Sequence, residues 1–551
     1  MDRYVTDIKN GCYQNPVLPM DFSDPDAIRV GEDYYLISSS FTYLPGVPVL
    51  HSKDLVHWER IGNCVERLPF DRYAQPAHGC GTWAPALRYH AGRFYAFIPL
   101  PDEGIFYTEA TDPAGPWSAL HCVKSASGWI DPCPLWDDDG SVYMAHAFAK
   151  SRCGIKHKIQ LSRLDPETLE VVEDGPIVFD GTLSQPTAEG PKMYKRNGWY
   201  YIFIPAGGVE YGWQTVLRSR NVLGPYEDRI VMHQGNAKTN GPHQGAWVDD
   251  PQGNDWFLHF QDRFELGRVV HLQPMCWHNG WPFIGLEQNG DGIGEPVDAW
   301  RCPQGEAVGG LTVSDTFPGG VPGLQWQWQA NPQPEKWLRR GADGLHLVCG
   351  SAATIWRMPN MLSQMLPAAD FTAEVKLSLT NAGAGAKTGV VIEVKCFFQK
   401  ILFIHWHIYS AIELCRSENG CLLRVLRGEV KESVQRGQVV PVSGARSEAE
   451  EVILAEENLD TTEITVTIKV TDARQVQYGY IAGGESNPLG AAQPITRATW
   501  TGARLGVYAR GGTEADTAAL AASAATFRAP PATSRHPAAH HPPHPRPPLP
   551  P

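Results

Sequence analysis

Residues 185–203 read QPTAEGPKMYKRNGWYYIF and contain one copy of a pattern that repeats through the first half of the chain. The acidic residue Glu189 precedes a short apolar strand, a turn at Gly198 and an aromatic second strand, which is the pattern of a β-hairpin. Four more copies read SDPDAIRVGEDYYLI, TWAPALRYHAGRFYAFI, IDPCPLWDDDGSVYMAH and GAWVDDPQGNDWFLHF, with hairpin glycines Gly31, Gly92, Gly140 and Gly253. Five hairpins roughly 50 to 60 residues apart predict the blades of a five-bladed β-propeller.

A second, less apolar pair of strands follows each hairpin. Its turns contain Asp-Pro or Gly-Pro, as in ATDPAGPWSAL from residue 110 and SRNVLGPYED from residue 219. Helical periodicity is scarce throughout this region, so the fold class that we expect is all-β.

Equivalent positions in the five copies carry residues that can do chemistry. Counting back nine residues from the glycine gives Trp83, Asp131, Glu189 and Gln244 in copies two to five, and counting back seven in copy one gives Asp24. The first strand of each blade lines the central channel of a propeller, so we expect these side chains to meet at one mouth. Clustered carboxylates raise one another's pKa and cost stability, and three of them in register therefore indicate a catalytic site.

Each candidate also has a purely structural interpretation. Asp24 and Asp131 both precede proline, and Asp-Pro commonly opens a turn. Trp83 could stack on a sugar or simply pack in the core. His243, next to Gln244, could help to hold a metal or could be satisfied by hydrogen bonds. For Glu189, which precedes Gly190, no turn motif offers such an alternative.

Composition limits the classes of function. The 551 residues include 47 Lys plus Arg against 60 Asp plus Glu, a formal charge of −13, whereas nucleic-acid binding needs a basic surface. The first 16 residues lack the apolar core of a signal peptide and no segment has membrane-spanning length, so we expect a cytoplasmic protein without a membrane partner. The 12 cysteines form no CxxC pair that would indicate a zinc ribbon or a redox motif.

The chain is long enough for two domains. We expect the propeller over residues 13–295, a Gly- and Pro-rich linker over 296–310, and a β-sandwich over 311–528, where apolar and polar residues alternate. An aromatic segment, WQWQANPQPEKW at 326–337, belongs either to the sandwich core or to a contact with the propeller. The Pro- and His-rich tail, 529–551, is predicted to be disordered.

One segment does not match its surroundings. Residues 394–420, VKCFFQKILFIHWHIYSAIELCRSENG, are strongly apolar at a place where a sandwich needs only a short hairpin. They could form a buried pair of strands, or they could distort the sandwich. Together with the tail, they raise the question of whether the coding sequence is correct at these two places.

Five motifs together resemble the catalytic domain of glycoside hydrolase family 43. They read NPVLPMDFSDPDAIRVGEDYYL, TWAPALRYH, GWIDPCPLWDDDGSVYM, AEGPKMYKRNGWYY and LGRVVHLQP. Residues 311–528 are similar to the concanavalin-like sandwich of the β-xylosidase and α-L-arabinofuranosidase branch of this family, where QWQWQANPQPEKW matches a family segment. The resemblance covers the chain except for residues 394–420 and the tail.

The resemblance assigns roles to the matching residues. It implies that Asp24 is the general base, that Glu189 is the general acid, and that Asp131 orients the acid and tunes its pKa. It further implies that Trp83 and Arg268 contact the sugar. We expect an ionised Asp131 to raise the pKa of Glu189 by repulsion, so that the acid stays protonated.

Two further site assignments concern His243 and Gln244. The resemblance implies that His243 helps to hold a calcium ion, largely through water, although no cofactor is expected to be required. Gln244 shares the register of the carboxylates and is predicted to contact substrate. Arg268 could alternatively pair with a buried carboxylate rather than with sugar hydroxyls.

The expected function is that of an inverting, exo-acting glycosidase that releases terminal β-D-xylose from xylo-oligosaccharides. An α-L-arabinofuranosidase is the alternative, since the two pentoses differ in contacts that the sequence does not locate. A non-catalytic carbohydrate-binding protein is the alternative of another class. The expected partner is an oligosaccharide, and the sequence leaves a homo-oligomer open.

Overall fold

The computed structural model describes residues 3–6, 8–339, 344–352, 354–380, 382–399, 404–435, 438–441, 450–511 and 521–528. The fold over these residues is all-β, as expected. Its helices are single turns: the α-helices Lys150–Cys153 and Pro334–Trp337 and the 3-10 helices Asp71–Ala74, Pro318–Gly320 and Ile355–Arg357. None of the described helices is long and apolar enough to cross a membrane.

Five antiparallel sheets follow one another in the first half of the chain, and each is built from consecutive strands. The first sheet contains Asp26–Val30, Asp33–Ile37, Gly46–Ser52 and Glu59–Val65, and the second contains Ala86–His90, Arg93–Leu100, Gly104–Ala110 and His121–Ser125. The third contains Trp129–Trp136, Val142–Phe148, Lys158–Leu164 and Val171–Glu173, with Ile177–Asp180 also paired to its third strand. The fourth contains Lys192–Arg196, Trp199–Ala206, Trp213–Ser219 and Glu227–Met232, and the fifth contains His243–Asp249, Asp255–Asp262, Arg268–His278 and Trp281–Ile284.

The predicted hairpins form the first two strands of these sheets. All five hairpin glycines have φ between 65° and 84°, a region that residues with a Cβ atom rarely adopt. The first strands also pack against one another from sheet to sheet. Asp26–Val30 contacts the first strands of the second and fifth sheets, and Trp129–Trp136 contacts those of the second and fourth. The starts of these strands are therefore brought close together.

Arg88, whose side chain is 13% exposed, connects the first strands of three consecutive sheets. The Arg88 Nη1 atom donates to Asp26 Oδ2 at 2.8 Å, and its Nη2 atom lies 2.7 Å from Cys133 Sγ. Asp26 is fully buried, and its Oδ2 atom also accepts the Leu87 backbone N–H at 2.8 Å. Because a buried charge without its partner is strongly destabilising, the Asp26–Arg88 pair fixes the relative position of the sheets.

Two eight-stranded sheets form the C-terminal sandwich. One contains, in spatial order, Gln327–Trp328, Leu362–Met365, Arg504–Arg510, Lys387–Gln399, Ile404–Ser417, Gly420–Gln435 and Gln438–Pro441, with Glu450–Leu459 also paired to Gly420–Gln435. The other contains Leu338–Arg339, Leu345–Val348, Ala521–Arg528, Phe371–Ser378, Glu463–Thr471, Gln475–Ala482 and Glu485–Pro488, with Gln493–Pro494 also paired to Gln475–Ala482. Side chains of both sheets share one hydrophobic core.

Within residues 394–420, residues 394–399 and 404–417 lie in strands of the sandwich, in agreement with the interpretation as a strand pair. The strands Lys387–Gln399 and Ile404–Ser417 pair with each other in antiparallel register, and the first of them also pairs with Arg504–Arg510. Ile412 and Leu414 of the second strand are fully buried in the shared core. The described part of this segment therefore contributes apolar side chains to the sandwich core.

The two halves of the chain are in contact through the aromatic segment 326–337. Trp326, Trp328 and Trp337 are buried in the core that the sandwich shares with the first and fifth sheets. The Trp328 backbone also exchanges hydrogen bonds with Leu44 of the first half, at 2.6 and 2.9 Å. Both interpretations of this segment, core and contact with the first half, therefore hold.

The predicted linker contains regular structure. Its strand Ala299–Arg301 pairs with Cys12–Gln14, which pairs in turn with Ile8–Lys9. Next to it, Leu311–Thr312 pairs with Arg3–Tyr4. The connection between the two halves is thus held by the N-terminal segment. The domain boundaries remain predictions, and the tail 529–551 lies outside the described residues.

Replacing Asp26 with alanine should lower the free energy of unfolding by about 3 to 5 kcal/mol, because it leaves the largely buried Arg88 guanidinium without its anion. Urea unfolding followed by tryptophan fluorescence measures the change. Asp249→Ala is the matched control, since Asp249 pairs with Arg29 at 2.7 Å but its side chain is 50% exposed. It should cost at most about 1 kcal/mol. Equal losses in the two variants would contradict the structural role of the buried pair.

Candidate active site

A cavity of about 250 Å³ contains six of the seven predicted site residues: Asp24, Trp83, Asp131, Glu189, Gln244 and Arg268. The seventh, His243, is 1% exposed and lies behind Glu189. The remaining lining residues are Phe41, Ala84, Ile130, Phe148, Ala149, Lys150, Ser151, Lys156 and Trp500. Residues that are distant in sequence but equivalent in the repeat therefore meet at one place. Their individual roles remain predictions.

Local irregularities of the backbone direct the side chains into the cavity. The pairing register shifts between Ile130 and Cys133, around Asp131, and between His243 and Gly245, around Gln244. Such β-bulges re-aim a side chain that a regular strand would point elsewhere. Positive φ angles of 54° at Asp24, 56° at Asp131 and 20° at Gln244 accompany this geometry. Strained backbone of this kind is typical of functional sites.

Glu189 is positioned by the glycine that follows it. Gly190 has a φ of 57°, and a Cβ atom there would lie 2.8 Å from the Gln244 amide carbon. Its backbone N–H donates to Asp131 Oδ2 at 2.8 Å. Gly190 therefore allows Glu189, Gln244 and Asp131, which belong to three neighbouring sheets, to approach one another closely.

Asp24 is held by three donors. Its Oδ1 atom accepts from Arg268 Nη1 at 2.7 Å, and its Oδ2 atom accepts from Ser23 Oγ at 2.9 Å and Ser39 Oγ at 2.7 Å. Arg268 is buried and stacks over the Phe260 ring at 4.6 Å. Because charge-assisted hydrogen bonds favour the charged form of an acceptor, this surrounding stabilises Asp24 as a carboxylate. Arg268 thus pairs with a buried carboxylate, as one of its two interpretations foresaw, while also lining the cavity.

Asp131 carries the raised pKa of the cluster. Burial, reinforced by the negative charges of Glu189 and Asp24, raises the pKa of Asp131 to about 8, although the Gly190 N–H lowers it. Asp131 is 4% exposed, whereas the Glu189 side chain is 28% exposed. This direction runs against the expectation that Asp131 is ionised at neutral pH, and the role of Asp131 stays a prediction.

The Glu189 carboxylate is hydrogen-bonded to His243, whose Nε2 atom lies 3.1 Å from Glu189 Oε1. The other ring nitrogen, Nδ1, is buried without a hydrogen-bond partner. The described residues contain no group of three or more His, Cys, Asp or Glu placed to hold a metal, whereas calcium takes about six to eight oxygen ligands. The residues around His243 thus do not fit a directly ligated calcium ion. An ion held there through water remains a prediction.

Aromatic side chains from both halves of the chain form one wall of the cavity. Trp83 is partly exposed, and its ring centroid lies 6.1 Å from that of Phe41 and 5.1 Å from that of Trp500. Trp500 belongs to the C-terminal domain, so the cavity is built from two domains. The repeat pattern could not identify Trp500, because its sequence, TRATWTGARLG, has no relation to the repeat.

Two lysines at the mouth were also missed from the sequence. Lys150 and Ser151 belong to the single-turn helix Lys150–Cys153, and Lys156 follows it. Burial lowers the pKa of His157, and the positive charges of Lys156 and Lys150 lower it further, whereas the negative charge of Glu189 acts in the opposite direction. Both lysines line the same cavity as Glu189. The cavity therefore combines three carboxyl groups with cationic side chains at its edge.

A larger cavity, of about 560 Å³, is lined in part by residues 262–266. Its acidic side chains are paired with cations. Asp298 lies 3.1 Å from Lys238, and Arg474 lies 3.9 Å from Glu265 and 3.8 Å from Asp472. The smaller cavity contains six of the seven predicted site residues and the larger one is lined by none of them, so we place the chemistry in the smaller cavity.

Comparison with known proteins gives matches along most of the chain. The sequence profile of glycosyl hydrolases family 43 matches residues 13–282, and that of the β-xylosidase C-terminal concanavalin A-like domain matches residues 314–522. A candidate β-xylosidase of Xylanibacter ruminicola is 36% identical over 500 residues, which cover 90% of this chain and 86% of that protein. A non-reducing-end α-L-arabinofuranosidase of Bacteroides ovatus is 29% identical over 538 residues, which cover 92% of each.

Solved structures agree with the observed fold. A family 43 protein of the Bacteroides ovatus xyloglucan locus superposes with a TM-score of 0.74 at 25% identity, over 94% of this chain and 99% of that one. A family 43 protein of Bacillus licheniformis gives a TM-score of 0.76 at 24% identity, over 95% and 100% of the two chains. Both halves of the chain thus have the architecture seen in these proteins.

Proposed function

The chain belongs to glycoside hydrolase family 43, and we propose that it is an inverting, exo-acting glycosidase that releases terminal β-D-xylose from xylo-oligosaccharides. The observation that supports this function best is the meeting of Asp24, Asp131 and Glu189 in one cavity. A glycosidase of this kind needs one protonated and one ionised carboxyl group on opposite sides of the scissile bond.

We infer that the five sheets of the first half are the blades of a five-bladed propeller. Each has its first strand next to the first strand of a neighbouring sheet, and the site residues lie at or near the starts of these strands. Asp24 and Glu189 belong to the first and fourth copies of the repeat. In a ring of five, these copies are not neighbours, which leaves room for a sugar and a water molecule between their carboxyl groups.

Asp24 acts as the general base in this proposal. It is ionised, since Arg268 and the hydroxyls of Ser23 and Ser39 stabilise its negative charge. A water molecule between Asp24 and the anomeric carbon would give its proton to the free lone pairs of the carboxylate as it attacks. Arg268 holds the carboxylate in a single orientation during this step.

Glu189 and Asp131 share the proton that the leaving group needs. Burial and the negative charges of Glu189 and Asp24 raise the pKa of Asp131 to about 8, so that Asp131 holds this proton at neutral pH before substrate binds. Glu189 is the more exposed member and is the one that substrate can touch. When a glycosidic oxygen covers Glu189 and excludes water, its charged form is disfavoured, and the shared proton moves onto it. Glu189 then donates this proton to the departing oxygen.

The shape of the cavity favours attack at a chain end. Trp83, Phe41 and Trp500 close one side, and the segment that contains Lys150 and Lys156 borders another. A volume of about 250 Å³ suits one sugar ring with part of a second rather than a long chain. Because Trp500 comes from the sandwich, the C-terminal domain helps to make the site a pocket.

Relatives of this chain are named for activity on two different pentosides. One relative with high coverage is named for β-xylosidase activity and another for α-L-arabinofuranosidase activity. The α-L-arabinofuranosidase therefore remains the alternative substrate specificity. A carbohydrate-binding protein without catalysis is disfavoured, because binding alone has no use for three carboxyl groups that repel one another.

Asp24→Asn and Glu189→Gln should lower kcat about a hundred- to ten-thousand-fold on a natural disaccharide such as xylobiose. The two variants should differ on the nitrophenyl β-D-xylopyranoside, because nitrophenolate departs without protonation. Glu189→Gln should then recover much of its activity, whereas Asp24→Asn should stay impaired. Hydrolysis rates of both substrates, and of the nitrophenyl α-L-arabinofuranoside, give the measurement.

Asp249→Asn serves as the control, since it also neutralises a carboxylate but lies on the surface beside Arg29. It should retain full activity. An Asp24→Asn variant that hydrolyses xylobiose at the wild-type rate would exclude Asp24 as the base. A well-folded wild type that hydrolyses neither nitrophenyl pentoside would favour the binding-protein alternative.

The activity should depend on pH through the shared proton. The group with the raised pKa is protonated below that value, so kcat/KM should hold up to about pH 8 and fall as the pH rises further. Asp131→Asn removes the repulsion that keeps the proton on the pair, and this alkaline decline should therefore move to lower pH. A pH profile of kcat/KM for the two proteins tests this. An unchanged alkaline limb in Asp131→Asn would show that the pair does not share the proton.

A further inference from the structure

A buried carboxylate outside the catalytic trio connects the two domains at the edge of the cavity. Asp21 is 5% exposed, and its Oδ1 atom accepts the backbone N–H of Arg268 at 2.8 Å. Its Oδ2 atom accepts the backbone N–H of Gly502 at 2.8 Å. Arg268 belongs to the fifth sheet, and Gly502 precedes the sandwich strand Arg504–Arg510. One side chain thus joins a strand of the first half to a loop of the C-terminal domain.

Both of these backbone segments lead directly to the site. On one side, the Arg268 Nη1 atom donates to Asp24 Oδ1 at 2.7 Å and to Ser23 Oγ at 2.8 Å. On the other side, Trp500 lies two residues before Gly502, and its ring is 5.1 Å from Trp83. Loss of the Asp21 carboxylate would release the backbone of Arg268, which pairs with Asp24. It would also release the loop that carries Trp500, which forms part of the aromatic wall.

Glycines permit this close approach from both sides. Gly267 has a φ of 92°, and a Cβ atom there would lie 2.4 Å from Asp21 Oδ1. A Cβ atom at Gly502 would lie 2.4 Å from the Leu266 carbonyl oxygen. The neighbouring Ala503 N–H donates to the Glu265 carbonyl at 2.8 Å. The two backbones therefore lie against each other, with Asp21 hydrogen-bonded to both.

The charge state of Asp21 agrees with two accepted hydrogen bonds. Burial raises its pKa to about 6, while the two N–H donors and the positive charges of Arg268 and Arg504 act in the opposite direction. At neutral pH, Asp21 is ionised, so both oxygens act as acceptors. It is not among the residues that line the cavity.

We propose that Asp21 is a positioning residue that locks the Trp500 loop of the C-terminal domain to the backbone of Arg268, so that docking of the sandwich and alignment of the base Asp24 occur together. The part concerning Asp24 rests on the proposed function. The carboxylate acts through the two backbones and touches no reacting atom. Substrate binding and base alignment should therefore depend on a residue that never contacts the sugar.

Kinetics of Asp21→Asn, Trp500→Ala and the double variant test the proposal. The asparagine side chain has one acceptor oxygen, so its NH2 group would face one of the two backbone N–H groups. One hydrogen bond to a charged acceptor would be lost, and two donors would repel each other. We expect KM to rise about tenfold in Asp21→Asn, and kcat to fall less than in Asp24→Asn. In the Trp500→Ala background, Asp21→Asn should raise KM by much less than tenfold, because the Trp500 ring that Asp21 positions is already missing. Fully additive effects on KM would overturn the proposal.

Two further proteins separate positioning from a general loss of stability. Gly502→Ala disturbs the same contact from the other side without removing a buried charge, and it should raise KM as Asp21→Asn does. Asp250→Asn is the matched control. Asp250 is 2% exposed and accepts two backbone N–H groups, but it lies in the turn of the fifth hairpin. It should leave KM unchanged, and a rise equal to that of Asp21→Asn would contradict the assigned role.

Amide hydrogen exchange gives a readout that needs no substrate. In Asp21→Asn, peptides that contain Arg268 and residues 500–503 should exchange faster than in wild type, while peptides of the second and third sheets should not change. Unchanged exchange at both segments would overturn the proposal whatever the activity. A wild type without activity on any pentoside would refute the proposed function alone, and exchange would then decide the role of Asp21.

Discussion

Electrostatic repulsion among Asp24, Asp131 and Glu189 is the constraint that the site must satisfy. Each carboxyl group meets it differently. Asp24 pairs with Arg268 and accepts hydrogen bonds from two hydroxyls, burial raises the pKa of Asp131, and Glu189 keeps partial contact with solvent beside His243. Three chemically identical groups therefore acquire three states, and a base and a proton donor are what an inverting glycosidase requires.

The repeat in the first half of the chain brings these carboxyl groups together. Equivalent positions of five hairpins reach one cavity, and bulges at Asp131 and Gln244 turn the side chains inward. Arg88 connects the first strands of three sheets and so fixes their relative position. The C-terminal domain then completes one wall with Trp500. Rigid sheets hold the reacting groups, while the contact between the domains sets the shape of the opening.

Much of the candidate site could be predicted from the sequence, because equivalent positions in the copies of a repeat occupy equivalent places in the fold. Counting back from the hairpin glycines identified five residues of the cavity without any knowledge of the fold. The position of the proton could not be obtained in this way, since it depends on the difference in burial between Asp131 and Glu189. The contribution of Trp500 could not be predicted either, because it arises from a contact with Trp83, which lies 417 residues earlier in the chain. Asp21 had no signal beyond its proximity to Asp24.

The configuration of the first sugar released from a nitrophenyl pentoside, followed by proton NMR during early turnover, tests the central claim most directly. A base at Asp24 that activates water opposite Glu189 must yield the anomer opposite to that of the substrate, before mutarotation mixes the two forms. Initial release of the inverted anomer is the predicted result. Initial release of the same anomer would contradict the account, because retention requires a carboxylate that attacks the sugar itself.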